Sequence, residues 1–75
     1  MAMLSIKAMH ALEYLRTGGK VLVRSEMPTE LRYVMFKKDR REILGLDIYT
    51  EIANMLVVHK AKHDAVYYVL KEKYR

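Results

Sequence analysis

Between Leu46 and Arg75 the chain contains neither glycine nor proline, so its last 30 residues carry no conventional breaker of regular structure. Read as one helix rising 1.5 Å per residue, the stretch would run roughly 45 Å, against a diameter of about 23 to 25 Å expected for a domain of this size. Such a helix must break in two or lie along a second molecule. The spacing therefore predicts a homo-oligomer, most simply a dimer, or a protein partner docked on this segment. Asp47 or Thr50 is placed to cap the helix, and Ile52, Met55, His59, Val66 and Val69 recur at helical spacing. Its polar middle, His59 to Asp64, reads either as the waist of one long helix or as a turn between two. Alanine and lysine favour the first, since no glycine, proline or asparagine marks a turn.

The first half of the chain is punctuated more clearly. Ser5 can cap a helix whose apolar face is Ile6, Met9, Leu12 and Leu15, joined by Ala8 and Ala11. Gly18 and Gly19 end it, because glycine accepts the left-handed conformation that closes a helix. Lys20 to Arg24 then carries β-branched residues and predicts a strand. From Val21 to Lys38 the pattern is strand, turn, strand, with the turn at Met27-Pro28-Thr29-Glu30. Along the second arm Leu31, Tyr33 and Met35 alternate with Arg32, Val34 and Phe36, so both faces carry apolar side chains. Glu42 to Thr50 alternates loosely, as a short third strand or a loop. The expected fold is a single small α+β domain over residues 1–75: an N-terminal helix, a β-hairpin with a short third strand, and a long C-terminal helix or helix pair.

An apolar content of 52% is too high for a disordered chain, and 31% charged residues suit a soluble one. Cysteine is absent, which excludes a disulfide framework and agrees with a cytoplasmic protein. Lys7, His10 and Glu13 interrupt any apolar run of the signal-peptide kind, and no stretch is long and apolar enough to cross a bilayer, so no membrane partner is expected.

The formal charge of +5 favours anionic partners. Seven cations, Lys20, Arg24, Arg32, Lys37, Lys38, Arg40 and Arg41, stand against three acids between Lys20 and Arg41, placing nearly all of the excess in the hairpin. With Tyr33 and Phe36 nearby for stacking, these residues predict a nucleic-acid contact, phosphates held by the basic run. Neither an RNP-type aromatic motif nor a zinc-finger spacing accompanies them.

Other features point elsewhere. Met55, Val66, Tyr67, Tyr68, Val69 and Tyr74 form an apolar and aromatic set suited to an interface, because tyrosine combines apolar area with a hydroxyl. His59 and His63 are four apart and would share one helical face as a two-ligand start of a metal site; Lys60 after the first histidine rules out the zincin pattern. Ile52 to Val58 followed by Val66 to Leu70 resembles the apolar skeleton of a helix-turn-helix unit, which would make Lys62 to Tyr68 the base-reading residues. The helix-Gly-Gly-strand opening resembles that of many small phage-encoded proteins.

Nothing supports catalysis or a cofactor. Ser5 and Ser25 are the only serines, and Gly18-Gly19 lacks the spacing of a phosphate loop. The chain reads as a non-enzymatic, nucleic-acid-binding regulatory or accessory protein of phage type. The alternatives are a protein-interaction module or inhibitor docking through its C-terminal helix, and a binder of small anions at an oligomer interface.

Overall fold

Ser5 opens the first helix, α1 (Ile6–Arg16), accepting the Ala8 amide proton on its hydroxyl at 3.1 Å. Its own hydroxyl and amide donate in turn to the Glu51 carboxylate at 2.9 and 3.0 Å, so the cap is tied to a distant part of the chain. The computed structural model describes residues 4–75. The buried stripe of α1 is Ala8, Ala11, Leu12 and Leu15, with Tyr14 beside it. Ile6 and Met9, expected on that stripe, are 82% and 50% exposed. At about 100° per residue they lie roughly 200° and 100° round the helix from Ala8. The small alanines face the sheet and let the helix sit close to it.

Gly18, at φ +101°, turns the chain out of α1. At Gly19 a side chain would meet the Tyr14 carbonyl at 2.8 Å, so only glycine fits this junction without displacement. The strands β1 (Lys20–Arg24) and β2 (Tyr33–Lys37) follow as the expected antiparallel pair. The proline-led turn between them expands into one helical turn, α2 (Thr29–Arg32). The third strand, β3 (Arg40–Ile43), begins earlier than the alternation from Glu42 suggested.

From here the structure overturns the sequence expectation. There is no long C-terminal helix and no helix pair. Helix α3 (Leu46–Ile52) starts behind Gly45, ahead of the predicted caps; Asp47 lies in its first turn and Thr50 donates its hydroxyl to the Leu46 carbonyl at 2.8 Å. A 3-10 turn, Ala53–Met55, leads into β4 (Leu56–Ala61), which pairs with β5 (Ala65–Leu70) as a hairpin. The chain ends in a second 3-10 turn, Glu72–Tyr74. The polar stretch around Lys62 to Asp64 is the hairpin loop, closed by the Lys62 amide donating to the Ala65 carbonyl at 2.7 Å. The physical reason is side-chain shape: Val57, Val58, Val66, Tyr67, Tyr68 and Val69 are β-branched or aromatic and pack better on a pleated surface than on a helix. The helix-turn-helix resemblance falls with the helices, as does the single long helix that called for a second molecule.

The result is one five-stranded antiparallel sheet in the order β3-β2-β1-β5-β4. Central β1 sets Val21 between Met35 of β2 and Tyr68 of β5. These side chains, with Leu56 and Leu70, face α1 and α3, whose Ala8, Ala11, Leu12, Ile48 and Ile52 complete the core. The α+β class stands with a different second half. No helix is long and apolar enough to cross a membrane among the described residues.

Candidate functional site

Both helices of the core lie on one side of the sheet, so the alternate residues of every strand form a second, open face. Along β1 these are Lys20, Leu22 and Arg24; β2 supplies Val34 and Phe36, and β3 supplies Arg41 and Ile43. From the last hairpin come Tyr67 and Val69 of β5, with Val57 and Lys60 of β4 opposite them. Val34 is buried yet outside the main core, so this face has a small apolar floor of its own.

Two shallow depressions mark the open face. One, of about 80 Å³, is lined by Leu22, Arg24, Val34, Phe36, Arg41 and Tyr67. Its neighbour, of about 280 Å³, is lined by Lys20, Phe36, His59, Lys60, Lys62 and Tyr67. Phe36 and Tyr67 belong to both, their ring centroids 5.8 Å apart and their planes at 77°. No carboxylate lines either depression, while five cations do. The face therefore joins an aromatic centre to a margin of one sign of charge.

Register places each cation relative to a ring. Phe36 stands directly between Lys20 on β1 and Arg41 on β3. Tyr67 stands between Leu22 and Lys60, and Lys62 Nζ lies 5.7 Å from the Tyr67 ring centroid. Arg24 donates from Nη2 to the Leu31 carbonyl at 2.7 Å, while its Nε has no partner among the described residues. That Nε is closed off from solvent, so it is a buried donor without a partner and not a group that an incoming ligand reaches.

The basic run read from the sequence is divided by the fold. Lys20, Arg24 and Arg41 reach the open face. Lys37 turns to the covered side, its ammonium against Thr17 Oγ1 and 4.4 Å from the Tyr14 ring centroid. Arg40 pairs with Lys37 in register, and its carbonyl accepts the Tyr14 hydroxyl at 3.1 Å. Lys38 is exposed in the loop between β2 and β3, and Arg32 donates to the Met27 carbonyl at 3.2 and 3.3 Å beside α2. Lys60 was missed, and Lys62 entered only through the helix-turn-helix resemblance, because a helical reading placed both at the waist of one helix. The unbroken β-branched and aromatic run from Val66 to Val69 was the signal that could have found their hairpin.

The residues expected at an interface also separate. Met55, Tyr68 and Tyr74 pack against the core, and Val66 sits opposite Val23 on the covered side. Only Tyr67 and Val69 occupy the open face. Tyr33, expected to stack on bases, instead stacks on Tyr49 at 4.5 Å under the helices, where Tyr68 meets Tyr49 at 6.3 Å. Burial, with Tyr68 and then Tyr33 adding to it, pushes the Tyr49 hydroxyl up to about 12. His59 falls at a bulge in β4 and His63 in the hairpin loop, so the shared helical face that suggested a metal does not exist. Among the described residues no three side chains converge as metal ligands.

A larger cleft of about 570 Å³ lies between α1 and the β3–α3 segment, but Lys7, His10, Glu42 and Asp47 give it both signs of charge. His10 Nε2 and Glu42 Oε1 approach to 3.6 Å there. It has no preference for one sign of ligand, unlike the open sheet face. No family model, no curated protein and no solved structure matches this chain.

Proposed function

We propose that the protein is a non-enzymatic nucleic-acid-binding protein of accessory or regulatory kind, and that it binds through the open face of its sheet. One observation carries the reading: an uncovered aromatic centre bordered by Lys20, Arg24, Arg41, Lys60 and Lys62, with no acid in either depression. Phosphates supply the complementary charge, and each one neutralised releases condensed counterions, which drives binding and makes it salt-dependent. The chain's net charge of +5 works in the same direction at longer range.

The test is the salt slope of binding to a labelled mixed-sequence nucleic acid, measured by fluorescence anisotropy. In K20Q/R41Q/K60Q the slope of log K against log salt should fall by about 2 to 3, since each cation removed leaves one phosphate with its counterions. The control K7Q/K73Q changes two cations outside both depressions and should leave the slope as it was. Equal losses in the two variants, or no salt-sensitive binding by the unaltered protein, would sink the assignment.

A further inference from the structure

Resting on that reading, we infer that the nucleic acid is single-stranded, with unpaired bases stacking on Phe36 and Tyr67 while the flanking cations hold their phosphates. Width is the first argument. Five strands at about 4.8 Å spacing set the outer two about 19 Å apart, whereas the major groove of a duplex is about 12 Å wide. The sheet cannot enter that groove face-on, and a duplex laid on it would offer phosphates only, leaving the aromatic centre without a partner.

Ring geometry is the second. Tyr33 and Tyr49 lie face to face at 4.5 Å and 29°, so each covers the other. Phe36 and Tyr67 meet edge to face at 77°, as Tyr49 and Tyr68 do at 65° on the covered side, and what sets them apart is that both line depressions open to solvent. A nucleobase has a π-face whatever its identity, so stacking there tolerates sequence.

Register also favours a single strand. A phosphate lies one sugar away from its base, and each ring has a cation on the adjoining strand: Lys20 and Arg41 beside Phe36, Lys60 beside Tyr67. Lys62, near the Tyr67 ring, is positioned to follow the backbone past it. In strand order from β3 to β4 the face thus presents Arg41, Phe36, Lys20, Tyr67 and Lys60, with the two rings in edge contact and the cations around them. Two stacked bases are accommodated, and no pocket with a set of polar groups distinguishes one base from another.

The experiment compares a labelled 12-nucleotide oligo-U, an oligo-dT and a 12-base-pair duplex at equal salt, with unaltered protein, F36L/Y67L, F36Y/Y67F and K20Q/R41Q/K60Q, each checked for folding by circular dichroism. The expected result is preference for the single strands, a loss on the order of tenfold per ring in F36L/Y67L, and recovery in F36Y/Y67F. Duplex bound as well as single strands, with F36L/Y67L unaffected and the salt slope still reduced in K20Q/R41Q/K60Q, overturns the stacking inference and keeps the nucleic-acid reading. Salt-insensitive binding or none overturns both. A doubled solution mass that F36L/Y67L abolishes, with no oligonucleotide bound, likewise overturns both and assigns the face to a second copy of the chain.

Discussion

On the covered face of the sheet Tyr33 and Tyr68 both meet the ring of Tyr49 from α3, at 4.5 and 6.3 Å. Across the sheet Phe36 and Tyr67 meet edge to face among Lys20, Arg24, Arg41, Lys60 and Lys62, and no helix covers them. The strand residues Tyr33 and Tyr68 differ from Phe36 and Tyr67 only by the parity of their positions, which sets them on opposite faces. Rings packed against a helix residue belong to the core, whereas Phe36 and Tyr67, lining depressions with cations beside them, form the proposed binding face. The outer strands agree with this division: β3 is short and charged, and β4 is interrupted by a bulge near His59, devices that discourage pairing with another sheet edge. The features that invite contact are on the face instead.

One substitution made on both faces breaks the comparison most directly. Val21 is fully buried on the covered face, and V21T places a hydroxyl without a partner there, costing about 2 to 3 kcal/mol in urea denaturation. V57T makes the same change at an open-face residue that is 45% exposed, and should stay within about 0.5 kcal/mol. Similar losses at both positions would mean that the open face is covered in solution. A smaller effect is expected where α1 turns onto the sheet. G19A drives a methyl against the Tyr14 carbonyl and ring, and a loss of about 1 to 2 kcal/mol measures how closely helix and sheet approach. Stability unchanged in G19A would show that this junction yields freely.

An effect confined to alkali concerns Tyr49. Its hydroxyl is raised from 10.0 to about 12, so between those values the folded protein holds a proton that the unfolded chain releases. The stabilisation is complete below pH 10.0 and is lost as pH rises towards about 12. Y49F should flatten the fall in urea midpoint over that window; an unchanged fall would remove Tyr49 from the cause.

Some of this was legible along the chain. Ser5 capping α1, Gly18 and Gly19 ending it, and the β1–β2 pair are all marked by residues whose backbone preferences are local. The basic character of the hairpin was visible too, but only Lys20, Arg24 and Arg41 of its seven cations reach the open face. The C-terminal half misled for a physical reason. Lack of glycine and proline removes helix breakers but does not make a helix, and the loop from Lys62 to Asp64 is stabilised from outside, by the Ser25 amide donating to the Asp64 carbonyl at 3.1 Å.

The sequence by itself determined where the first helix begins and ends, that the next segments are extended, that the domain is α+β, and that its charge is positive and concentrated. Only the tertiary structure decided that residues from Leu56 to Leu70 are a hairpin and that Phe36, Tyr67, Lys60 and Lys62 share a surface. Those outcomes depend on β5 pairing with β1, where Leu22 faces Tyr67 across 45 positions of chain. A slip of one residue in that register would carry Tyr67 to the covered side and Tyr68 to the open one. Local preferences act over a few neighbours, whereas the side a strand presents is set by the partner it meets and by which side the helices bury.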